Sequence, residues 1–199
     1  MSSDDAALAP ASLQGRPHDL AARYARVRRT TEALTRHLSA EDHLAQSMPD
    51  ASPAKWHLAH VTWFFETFLL VPHLPGYAVF DPAYAYLFNS YYEALGPRQP
   101  RPQRGLLTRP PLDEVRAYRA HVDEAMDRLL RSGDAPPELV DLGLAHEEQH
   151  QELILMDLLH LFAQSPLKPA YARLSAQAKA TDPGPARPIA FDGGLVEIG

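Results

Sequence analysis

Over residues 19–38, Leu20, Tyr24, Val27, Thr31, Leu34 and Leu38 recur at spacings of three and four, which predicts a helix with one buried face. Ser39, followed three residues later by Asp42, resembles a capping box and predicts a short second turn ending before Met48-Pro49-Asp50. Ser52-Pro53 then places an N-cap before a proline at the first helical position. A long aromatic helix follows through Trp56, His60, Trp63, Phe64 and Phe68, with Pro72 as its stop. Asp81-Pro82 opens another run, predicted helical over residues 84–95 and closed by Gly96-Pro97. Residues 96–111 carry five prolines and four arginines and are expected to be an irregular loop. Residues 112–131 return to helical spacing, with Val115, Tyr118, Val122, Met126 and Leu129 on one face and Gly133 beyond the end. Pro136-Pro137 opens a last long helix over residues 138–162.

Four long helices with proline-marked connections predict an all-α chain built on a four-helix bundle over residues 18–171. Residues 1–17 read as a flexible N-terminal tail and not as a signal peptide, because they lack a continuous apolar core. Residues 172–190, rich in Ala, Pro and Gly, read as a linker. Residues 191–199 alternate after a turn, as at the first strand of a second domain, and a lone strand is unstable, so the chain is expected to be cut just inside that domain.

Composition narrows the class. Hydrophobic residues make up 45% and charged residues 22%, a globular balance. The net charge of −6 argues against nonspecific nucleic-acid or anionic-membrane binding. Apolar runs such as Phe68-Leu69-Leu70-Val71 are far shorter than the ~20 residues that span a bilayer. A cytoplasmic protein is the expectation. The absence of cysteine removes disulfides and thiolate metal ligands, whereas ten histidines supply metal-ligating and acid–base groups.

His146 and His150 lie four apart on the last helix, so both imidazoles project from one face and can share one metal ion. Leu139, Leu142, Leu153, Asp157 and His160 are expected on the same inward stripe. The other reading is two core histidines satisfied by backbone and carboxylates. His146-Glu147-Glu148-Gln149-His150 also matches the zinc-protease pattern H-E-x-x-H, but no third His or Glu follows at a suitable spacing. A third ligand is expected from the aromatic helix, where His60 is the candidate and His57 its competitor. Three histidines without a carboxylate suit zinc with one water, or non-haem Fe(II) with open positions. Residues 123–127, with Asp123, Glu124 and Asp127, read as a solvated helix face.

The stretch from Ser47-Met48-Pro49-Asp50 through Lys55-Trp56-His57-Leu58-Ala59-His60, then Trp63-Phe64-Phe65-Glu66, Phe88-Asn89-Ser90-Tyr91-Tyr92-Glu93 and His146-Glu147-Glu148-Gln149-His150, resembles the EgtB-type sulfoxide synthases of ergothioneine biosynthesis. The resemblance covers about residues 18–199. It implies a DinB-like four-helix bundle followed by a domain like the formylglycine-generating enzyme, of which residues 191–199 would be the start. It implies Fe(II) held by His60, His146 and His150, and dioxygen-dependent joining of cysteine or γ-glutamylcysteine to hercynine (Nα-trimethylhistidine). It further implies Tyr91 and Tyr92 as proton donors near the reacting oxygen, Arg101 and Arg104 as partners of the sulfur donor's carboxylate, and Gln149 beside the trimethylhistidine. Much of the hercynine pocket would come from the second domain, so the chain by itself is expected to bind metal and turn over poorly. A DinB-type thiol transferase and a non-enzymatic helical interaction module are the competing readings.

Overall fold

The computed structural model describes residues 17–90, 96–172 and 184–195. The stripe of the first helix is buried where the pattern predicts: in α1 (Pro17–Thr35), Tyr24, Val27 and Thr31 are buried and Leu20 is partly so. α2 (Ala40–Leu44) is capped as expected, Ser39 Oγ accepting from the Asp42 N–H while the Asp42 carboxylate accepts from the Ser39 N–H. α3 (Ala54–Phe65) is buried on every side, which its continuous apolar and aromatic composition permits. α6 (Leu112–Ser132) buries Val115, Tyr118, Val122, Met126 and Leu129 and ends at Gly133, whose φ of 82° is the left-handed cap that glycine adopts without strain. α7 (Pro137–Gln164) is the longest element. α1 and α3 each pack against both α6 and α7, forming the bundle. Gly143 sets the α3–α7 approach: a Cβ there would lie 2.7 Å from the Phe65 ring and 3.0 Å from that of Phe64.

A buried ionic cluster ties the four helices together. The Glu147 side chain is completely inaccessible, and its carboxylate accepts from Arg28 Nη1 at 2.9 Å, Arg119 Nη2 at 3.1 Å and Thr31 Oγ1 at 2.7 Å. Arg28 also donates to Asp123 and Thr62, and Arg119 to Glu32 and the Leu58 carbonyl. Burial alone would raise the Glu147 pKa, but Arg28 and Arg119 outweigh it and hold the carboxyl down at about 2. Asp123 is therefore not merely solvated: it accepts from both Tyr24 Oη and Arg28 Nε. Glu124 and Asp127 pair with Arg128 and Arg131 on the exposed side of α6.

The structure corrects several local expectations. The aromatic helix does not stop at Pro72; it widens into a π turn over Glu66–Leu70 and finishes as α4 (Val71–His73). Pro72 contributes no N–H and crowds the carbonyl four residues back, and the wider turn precedes it. Ser52 does not cap α3, because Pro53 occupies that position and the Ser52 hydroxyl instead accepts from Arg104. Of the run predicted helical over 84–95, residues 84–87 form α5 (Tyr84–Leu87), whose Leu87 carbonyl accepts from Trp56 Nε1, residues 88–90 are not helical, and residues 91–95 lie outside the described residues. The arginine loop contains a 3₁₀ helix, Arg101–Leu106, which accommodates Pro102 in its first turn, where no helical N–H is needed. On α7, Leu142 is 57% exposed, because burying Glu147 turns the inward face towards Val140, Gly143, Leu144, Ile154 and Leu158. Residues 191–195 form no strand, and 196–199 lie outside the described residues. No helix among the described residues is long and apolar enough to cross a membrane.

Two substitutions test this packing. Glu147→Leu leaves two buried guanidiniums short of a counter-charge and is expected to cost about 3–5 kcal/mol in urea unfolding. Gly143→Ala forces a methyl group into the Phe64–Phe65 contact and is expected to cost about 1–3 kcal/mol by the same measurement.

Candidate metal centre

With Glu147 facing α1 and α6, the helical repeat places His146 about 100° and His150 about 60° round α7 to one side of it, and that side faces α3. There His60 meets them: its ring centroid lies 5.0 Å from that of His146 and 4.7 Å from that of His150. One nitrogen from each of these three residues falls within 4.8 Å of the others. The His60 ring stacks on Trp56 at 4.5 Å, and Phe64 packs on His146 at 4.9 Å, so the imidazoles stand on an aromatic floor.

The donor set fits a divalent ion. His60 Nδ1 lies 2.6 Å from the Phe88 carbonyl, which accepts only, so Nδ1 carries the proton and the lone pair sits on Nε2. That Nε2 lies 3.2 Å from His146 Nε2. Ligands ~2.1 Å from one ion are ~3.0 Å apart at a right angle and ~3.4 Å apart at the tetrahedral angle, so one ion can serve both nitrogens. Burial pushes the His60 pKa well below its ordinary value, helped by His146; burial also lowers His146 to about 4 and depresses His150, with His57 adding to the effect. All three are neutral at pH 7 and need lose no proton before binding a cation.

His57, the competing ligand, lines the same cleft, but both of its nitrogens face other partners. Its Nδ1 faces His150 Nδ1 at 2.7 Å and its Nε2 faces Asp157 Oδ2 at 3.1 Å. Burial lowers the His57 pKa, against the opposing pull of Asp157. Glu147 is likewise no general base. Its oxygens are taken by Arg28, Arg119 and Thr31, which removes the catalytic carboxylate that the zinc-protease pattern requires.

The histidines open onto a cleft of about 480 Å³ lined also by Ser52, Trp56, Ser90, Arg101, Arg104, Gln149 and Leu153. Arg104 is 4% exposed, lies 3.4 Å above the centre of the Trp56 ring, and donates to Ser52 Oγ and Ser90 Oγ. Arg101 is half-buried, and Gln149 is exposed on the same wall. Six of the sequence-predicted site residues, His60, His146, His150, Arg101, Arg104 and Gln149, thus line one cleft. Tyr91 and Tyr92 lie outside the described residues. Ser52, Ser90 and Trp56 were not anticipated as lining residues; the only sequence signal was their membership of the Ser47–His60 and Phe88–Glu93 stretches.

Each of His60→Ala, His146→Ala and His150→Ala is expected to weaken Fe(II) binding by more than about 100-fold while helical circular dichroism persists. Anaerobic iron stoichiometry at pH 7 on the 199-residue chain measures this.

No curated protein matches the chain. A family model, the DinB superfamily, matches residues 23–154, which run from α1 to the middle of α7 and include all three histidines. With that match across the bundle and its histidines, the chain belongs to the DinB superfamily.

Proposed function

We propose that this bundle is the metal-binding part of an iron(II)- and dioxygen-dependent sulfoxide synthase that joins hercynine to cysteine or γ-glutamylcysteine. The observation that carries the reading is the pairing of three neutral histidines with two guanidiniums in one cleft. A thiol-bearing amino acid needs both: a soft-donor site for sulfur and a fork for its carboxylate. The sequence resemblance to the ergothioneine sulfoxide synthases supplies the substrate class.

His60, His146 and His150 would hold the iron, whose contribution when bound is the activation of dioxygen. Overall, the thiol S–H and a ring C–H of hercynine are lost, one oxygen atom ends on sulfur, and the other leaves as water. The chain's own residues bind, orient and exclude. Arg101 and Arg104 receive the carboxylate, and Arg104 is already held in place by Trp56, Ser52 and Ser90. Trp56 and Phe64, packed on His60 and His146, keep water from that side of the imidazoles. Gln149, which lines the cleft, is assigned the contact beside the trimethylhistidine, and the Tyr91 or Tyr92 hydroxyl is assigned the proton delivered to oxygen. The rest of the hercynine pocket is assigned to a second domain following residue 190, and the cytoplasm is the proposed compartment.

Supplying the iron-loaded chain with hercynine and each thiol under air, with oxygen uptake and product mass recorded, tests the reading. The expected result is slow, oxygen-coupled formation of the sulfoxide. Arg101→Ala is expected to raise the KM for the thiol by about 10–100-fold, the cost of a lost charged hydrogen bond. Thiol consumption without oxygen uptake would replace this reading with a metal-dependent thiol transferase.

A further inference from the structure

We propose that Asp157 and His57 form a positioning relay that holds His150 in the single tautomer able to bind a metal through Nε2. The inference rests on the three-histidine metal reading and assigns the residues behind it. The Asp157 carboxylate, 9% exposed, accepts from the Ser52 N–H at 2.9 Å through Oδ2, which pins it on the N-terminal side of α3. The same Oδ2 lies 3.1 Å from His57 Nε2. A carboxylate only accepts, so the single proton of neutral His57 resides on Nε2 and its Nδ1 presents a lone pair. His150 Nδ1 lies 2.7 Å from that lone pair and must therefore be the donor. A neutral imidazole with its proton on Nδ1 has its lone pair on Nε2. Three groups from two helices thus fix one atom's protonation, and the carboxylate charge is passed through His57 to the ligand, where it raises donor strength.

The arrangement is asymmetric. His60 is held by a neutral carbonyl, that of Phe88, and His146 Nδ1 is buried without a hydrogen-bond partner among the described residues. Among the described residues, His150 alone of the three is backed by a carboxylate, at one remove.

Co(II) titration of the full chain, followed by its d–d absorption, tests the relay without substrate or dioxygen. His57→Phe keeps the ring and removes the acceptor, and is expected to weaken Co(II) binding about 10–100-fold. His57→Asn returns an acceptor near the Nδ1 position and is expected to recover most of that loss, which a purely structural role would not produce. Imidazole ¹⁵N NMR of the zinc-loaded wild-type chain is expected to show protons on His150 Nδ1 and His57 Nε2, and it decides the matter even where the Phe variant fails to fold. Wild-type Co(II) affinity in folded His57→Phe, or a proton on His150 Nε2 in the zinc-loaded chain, would overturn the relay while leaving the metal centre intact. Undiminished Co(II) binding by His150→Ala would overturn the metal centre itself, and the relay with it.

Discussion

The buried carboxylate of Glu147 is the constraint on which the rest of the molecule depends. An ionised group with no access to water must be matched inside the protein, and here the match comes from Arg28 and Arg119 on two different helices. Thr31 on α1 and Thr62 on α3 complete the shell around the three charged groups. Each of the four long helices thereby contributes a group that cannot move without stranding a charge. The cluster fixes rotation as well as position: with Glu147 committed to α1 and α6, the neighbouring His146 and the following His150 fall on the flank of α7 that faces α3. A residue that looks catalytic by pattern is the anchor that aims the residues on either side of it.

The candidate metal centre is assembled from two kinds of support. α3 and α7 supply the histidines from rigid helical backbone, packed closely because Gly143 lets the Phe64 and Phe65 rings approach. Ser90, Arg101 and Arg104 add to the lining of the cleft, and their surroundings are tied to α3 by the Trp56–Leu87 and His60–Phe88 hydrogen bonds and by Arg104 lying over Trp56. The division suits a site that must hold an ion rigidly yet present cationic groups to an anionic ligand. Lys55 extends the same support, donating to the Leu107 and Pro110 carbonyls from the start of α3.

Long-period features were legible in the chain before any tertiary contact was known. The spacing of apolar residues located α1, α6 and α7, the glycine after α6 marked its end, and the four-residue separation of His146 and His150 put them on one face. These depend on helical geometry alone, which is local. The same local logic misjudged Leu142, because periodicity proposes a stripe but a buried charge decides its centre. It also carried helix past Leu87, where the backbone leaves the helix and its carbonyls turn to Trp56 and His60 on α3.

What the sequence determined by itself was therefore the helical content, the punctuation and the inventory of imidazoles and guanidiniums, since propensity and spacing act between neighbours. The family resemblance named His60, Arg101 and Arg104, but only the tertiary structure brought one nitrogen each of His60, His146 and His150 together, set His57 against Asp157, made Glu147 structural and put Arg101 and Arg104 on the same cleft. Those assignments turn on which nitrogen faces which partner across helices far apart in the chain, and helical spacing carries no information about that.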